Sequence, residues 1–83
     1  MSETKTIVIK YFAALREQAG CSEEKRETSA RSAQDLYQEL QDSHQFSLSA
    51  QQVKVAINNA YQPLNTDLKT GDTVVFIPPV AGG

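Results

Sequence analysis

Thr73-Val74-Val75-Phe76-Ile77-Pro78-Pro79-Val80-Ala81-Gly82-Gly83 stands at the C-terminal end of the 83-residue sequence, and its first five residues decide the fold. All five are β-branched or aromatic, and after Thr73 all are apolar, so the segment reads as a strand that is apolar on both faces. A strand without a polar face belongs in the middle of a sheet. Pro78 and Pro79 lack amide hydrogens and hold φ near about −65°, so the ladder stops there and the chain leaves extended.

Working outward, Thr6-Ile7-Val8-Ile9-Lys10-Tyr11-Phe12 is the other strongly strand-like run, and the two are expected to pair at the sheet centre. Residues 13–19 switch to good helix formers, with Gly20 as a left-handed C-cap. Residues 22–29 alternate without a buried stripe. They read as an exposed edge strand whose charges (Glu23, Glu24, Lys25, Arg26, Glu27) discourage pairing with other chains.

The principal helix is signalled by Ser32 as cap, Asp35 in the first turn, and Ala33, Leu36, Tyr37 and Leu40 in one stripe; it is expected to end near Ser43. Phe46 and Leu48 read as two apolar anchors in a loop. Residues 53–57 form a further strand, Asn58-Asn59 a tight turn, and residues 60–62 a short return that Pro63 breaks. Residues 67–72 supply turn chemistry before the last strand. This order predicts an α+β fold, a ubiquitin-like β-grasp in which a mixed sheet wraps around one principal helix. Residues 1–77 would form the domain and residues 78–83 an extended carrier tail.

Composition narrows the function classes. Apolar content of 40% with 10 acidic against 8 basic residues fits one globular domain, and a net charge of −2 argues against a nucleic-acid-binding face. No apolar run reaches the roughly 20 residues that span a bilayer, and no signal peptide is legible, so a cytoplasmic location without a membrane partner is expected. Cys21 and His44 are single representatives of their types, which leaves no metal ligand set and no catalytic pairing. Cys21 reads as an incidental thiol. His44 reads as a helix-terminal residue meeting the last carbonyls or solvent.

Strand alternation assigns faces. Ile7, Ile9 and Tyr11 with Val53, Val55 and Ile57 would meet the helix, whereas Phe12 and Val75 or Ile77 would reach the opposite face, with Tyr61 nearby. Two readings of that face stand side by side. It is a partner surface, or the short first helix, or the loop around Phe46 and Leu48, covers it as a second small core.

The tail reads as a chemical device. Six residues reach about 20 Å, and Ala81, Gly82 and Gly83 shed side-chain bulk so that the tip fits a narrow channel. Val80 and the two prolines would guide it there. The functional group arriving is the Gly83 α-carboxylate, ionised at neutral pH and a poor electrophile until it is activated. An adenylate gives its acyl carbon a leaving group, and a persulfide sulfur can then leave a thiocarboxylate.

The run from Phe76 to Gly83, preceded by Leu68-Lys69-Thr70-Gly71-Asp72-Thr73-Val74, resembles the C-terminal signature of the molybdopterin synthase small subunit. Ile9-Lys10-Tyr11-Phe12-Ala13-Ala14-Leu15-Arg16-Glu17 resembles the family's first strand and helix entry. The resemblance implies that Gly83 is adenylated by a ubiquitin-activating-like adenylyltransferase that consumes ATP, and thiocarboxylated with sulfur from a persulfide protein. It implies no resident cofactor. The sulfur would pass to cyclic pyranopterin monophosphate in the large-subunit active site, forming the molybdopterin dithiolene. The assembly implied is a heterotetramer with two copies of each subunit, and the apolar contact positions map onto Phe12, Tyr61 and Ile77. The same tail chemistry would serve a thiamine or tRNA-thiolation carrier, or a protein modifier conjugated to lysines through Gly83. A plain interaction module would not need the glycines.

Overall fold

The computed structural model describes residues 4–79. The chain runs β1 (Lys5–Tyr11), α1 (Ala13–Ala19), β2 (Glu23–Thr28), α2 (Ala33–His44), a single 3-10 turn (Ala50–Gln52), β3 (Lys54–Ile57), β4 (Ala60–Gln62) and β5 (Thr73–Ile77). β5 takes the central place that its two-sided apolar character demands. The sheet order is β2-β1-β5-β3-β4. β1 and β5 are parallel, with Ile9 opposite Val74 and Tyr11 opposite Phe76. The other neighbours are antiparallel. A mixed five-stranded sheet with one main helix on one face is the expected α+β β-grasp, and β2 is the expected edge strand.

Alternation sets what is buried. Ile7, Ile9, Tyr11, Val55, Val74 and Phe76 point to the helix side, where they meet Leu36, Tyr37 and Leu40 of α2 in one core. Ser32 Oγ accepts the Asp35 amide at 3.2 Å and so caps α2. Two turns behave as their residues dictate. Gly20 ends α1 at φ 79° with its amide donating to the Arg16 carbonyl at 3.0 Å. Asn58 and Asn59, at φ 52° and 71°, make the two-residue hairpin between β3 and β4.

Three expectations need correction. β1 ends at Tyr11, and Phe12 is instead the N-cap residue of α1. The Phe46–Leu48 loop and α1 build no second core: Phe46 joins the main core, stacked on Tyr37 at 5.7 Å and edge-on to Tyr11 at 5.6 Å, and α1 turns Leu15 into the same core. His44 neither caps carbonyls nor sits in solvent. Its ring packs on Tyr11 and Phe46, and its Nε2 lies 2.7 Å from Glu24 Oε1, which also accepts the Tyr11 hydroxyl.

That Glu24 cluster ties edge strand β2 to the end of α2, and Arg26 reinforces it by donating to Ser43 Oγ at 3.0 Å. Burial pushes the Glu24 carboxyl up, but hydrogen bonds from Tyr11 and His44 and the charges of His44 and Arg26 outweigh it, leaving the group below its ordinary range. The Tyr11 phenol is driven above its ordinary range by burial and by its bond to Glu24. A depressed carboxylate stabilises the fold above the unfolded-state pKa and loses that contribution as pH falls through the folded value. Glu24→Gln is therefore expected to cost about 1–2 kcal/mol at neutral pH. The gap to the parent should close on acidification below about pH 4, as urea melts at several pH values would measure.

Candidate functional site

The face of the sheet turned away from α2 is built by the complementary set of alternate residues. In-register neighbours share a face, so Lys10, Val75, Ala56 and Tyr61 form one row across β1, β5, β3 and β4. Lys54 and Ile77 form the next pair, one pleat nearer the C-terminus of β5. Among the described residues no helix covers this face. Phe12 is 51% exposed and Tyr61 73% exposed, the two large apolar side chains left in solvent among the described residues. Leaving so much aromatic surface wet is unfavourable by about 25 cal/mol per Å² relative to burying it, which makes both residues ready contact points.

Phe12 reaches the open side because it follows inward-facing Tyr11 in extended backbone. Ala13, at φ 51°, then turns the chain sharply into α1. The result is a groove of about 680 Å³ lined by Phe12, Ala13, Ala14, Ser47, Leu48, Ile77, Pro78 and Pro79. Leu48 is fixed there by Tyr37, whose hydroxyl donates to the Leu48 carbonyl at 2.8 Å and whose phenol is pushed up to about 12 by burial. Gln18 clamps the same loop by bonding Ser47 through both its amide nitrogen and its amide oxygen.

Of the residues singled out from sequence, Phe12, Ile77, Pro78 and Pro79 are thus brought together at the point where the tail leaves β5. Tyr61 lies apart. It sits on edge strand β4 beside a second groove of about 560 Å³ that includes Lys54, Pro63 and Leu64. Val80, Ala81, Gly82 and Gly83 lie outside the described residues. The sequence reading set the first helix and the Leu48 loop near this face only as a possible cover, since nothing in the local pattern of Ala13, Ala14 or Leu48 distinguishes a groove wall from a loop anchor. Lys10 and Lys54 escaped that reading, although the alternation that turns Ile9 and Val55 inward also turns them outward.

A β-grasp domain whose last central strand runs through a Pro-Pro exit, in a sequence ending Gly-Gly, with the bare ring of Phe12 at that exit, defines the ubiquitin-like carrier class. The chain belongs to the ThiS family, whose model matches residues 9–83. It is 38% identical over 78 residues to the molybdopterin synthase sulfur carrier subunit of Mycobacterium tuberculosis, covering 88% of this chain and 92% of that protein. Among solved structures it resembles the complex of subunits 1 and 2 of the molybdopterin-converting factor from Helicobacter pylori. That match has a TM-score of 0.62 and 26% identity, covering 94% of this chain and 99% of that one. SAMP1 from Haloferax volcanii shares the fold with a TM-score of 0.76 at 24% identity, covering 94% of this chain and 99% of that one.

Proposed function

We propose that this chain is the sulfur-carrier small subunit of a molybdopterin synthase, with Gly83 as the carrying residue. The observation that supports it most is the pairing of a Gly-Gly terminus with an exposed apolar groove at the tail's root, in a chain 38% identical to a sulfur carrier subunit of that name. That relative favours the molybdopterin pathway over the thiamine and tRNA-thiolation readings. The Helicobacter pylori complex supports a large subunit as partner.

The chemistry follows from what one carboxylate can do. A Gly83 oxygen attacks the α-phosphorus of ATP within an adenylyltransferase, and pyrophosphate leaves. The terminal sulfur of a protein persulfide then attacks the acyl carbon, and AMP leaves. Cleavage of the resulting S–S bond by a second thiol leaves the thiocarboxylate on Gly83 and a disulfide on the donor. In the large subunit that sulfur becomes the nucleophile toward cyclic pyranopterin monophosphate. The carrier holds no resident cofactor and contributes reach and a reactive sulfur. Orientation and proton transfer come from the partner, in a heterotetramer with two copies of each subunit.

The test is reconstitution with the adenylyltransferase, ATP, a persulfide donor and the large subunit, in the cytoplasm-like reducing conditions the reading implies. Conversion of cyclic pyranopterin monophosphate to the dithiolene product is expected. No conversion with the large subunit, but sulfur transfer from the same carrier to a thiazole synthase product or to tRNA when those systems replace it, would contradict it.

A further inference from the structure

The charges of the open sheet face say what kind of surface the partner must present. On that face β1, β3, β4 and β5 carry no carboxylate, and the two that β2 adds, Glu23 and Glu27 on either side of Lys25, lie at the sheet's outer edge, away from β5. Two exposed lysines stand there instead. Lys10 is in register with Val75 and Lys54 with Ile77, so they bracket the open side of β5 from the strands on either side of it.

Neither ammonium is already spoken for within the described residues. The ion pairs there involve Arg26 with Glu24 and Glu39, and His44 with Glu24, all near the helix side. Glu23, on edge strand β2, is in register with Lys10 but makes no ion pair with it within 4.0 Å. A partner that covers the apolar strip between the two lysines must therefore desolvate their heads or supply acceptors. An unpaired buried ammonium is costly, whereas a carboxylate across the contact restores the lost hydration and speeds encounter.

We infer that the open face docks onto an apolar patch of the large subunit that is flanked by carboxylates, which pair with Lys10 and Lys54. This deepens the reading given under Proposed function and rests on it. The tail supplies chemistry, the apolar strip supplies contact area, and the two lysines fix the lateral register of the carrier.

The test measures binding of the full chain to the large subunit by stopped flow and calorimetry at several ionic strengths, for the parent, for K10E/K54E and for the neutral K10Q/K54Q. Circular dichroism melts confirm that each variant is folded, as expected for exposed positions. Lys69→Glu, in the turn before β5, serves as a control for a single charge reversal away from this face. The charge reversal is expected to weaken binding about tenfold or more at low salt, mostly through the association rate. The neutral pair should fall between, and the differences should shrink above about 0.5 M salt as screening shortens the Debye length. Parent-like affinity and salt dependence in K10E/K54E, or an equal loss in the Lys69→Glu control, would overturn the inference while leaving the sulfur-carrier reading intact. Failure of the parent chain to bind the large subunit, including self-association through this face instead, would overturn both.

Discussion

Removing Gly82 and Gly83 is expected to abolish sulfur transfer while leaving the domain's stability unchanged. The core closes without them: Leu15, Leu36, Leu40, Val74 and Phe76 are fully buried among residues before Pro78. The melting midpoint should therefore move by less than about 2 °C. Transfer depends on one group, the terminal carboxyl carbon that accepts sulfur. In the truncated chain Ala81 would carry that carbon about 7 Å short of its proper reach. A misplacement of even 1 Å can cost about 100-fold, so a loss beyond about 1000-fold in product formation is expected. That corresponds to more than about 4 kcal/mol of transition-state stabilisation. An interaction module that needs no chemistry at its tip would keep its full activity after the same deletion.

Phe12→Asp separates contact from stability. Because Phe12 is 51% exposed, the substitution should cost the isolated monomer less than about 1 kcal/mol. Ile9→Ala, at a fully buried position one strand turn away, should cost about 2–5 kcal/mol. Binding to the large subunit should respond in the opposite order. Losing an aromatic anchor from a groove and placing a carboxylate among Ile77, Leu48 and Pro78 should weaken association by about 2–4 kcal/mol, or roughly 30- to 1000-fold. Chemical melts of the free variant and titration against the large subunit give both numbers. A Phe12→Asp monomer destabilised as much as Ile9→Ala would contradict the solvent-facing position of this ring.

Much of the fold was legible because strand periodicity is strict. The two-sided apolar character of residues 73–77 located the centre of the sheet, and Ser32 with its stripe located α2 and the buried face. Gly20 and Asn58-Asn59 announced their turns through the left-handed backbone they adopt. What remained hidden were contacts made by residues without a period of their own. Phe46 follows the end of α2 in a loop, and only the three-dimensional return of that loop stacks it on Tyr37. His44 and Glu24 are 20 positions apart, and no local pattern reports that the end of α2 lies over β2. The choice between partner surface and second core for Phe12 depended on where Leu15 and Phe46 point, which periodicity in so short a helix and loop does not fix.

The candidate site divides the same way. Pro78, Pro79 and the glycines beyond them speak through backbone chemistry, which a sequence states directly. The groove walls at Ala13-Ala14 and Ser47-Leu48 come from two separate segments brought together beside the end of β5. Lys10 and Lys54 were visible in principle, since alternation alone sets their side of the sheet. Their meaning depended on the register that puts them on either side of β5.

The central claim is that Gly83 carries sulfur, and the mass of the chain reports it most directly. After incubation with the adenylyltransferase, ATP and a persulfide donor, the intact chain and its C-terminal peptide should each gain about 16 Da, the replacement of one oxygen by sulfur. Omitting ATP should abolish the gain. An unchanged mass under conditions where the adenylyltransferase consumes ATP on this chain, or a gain located anywhere other than Gly83, would contradict the account.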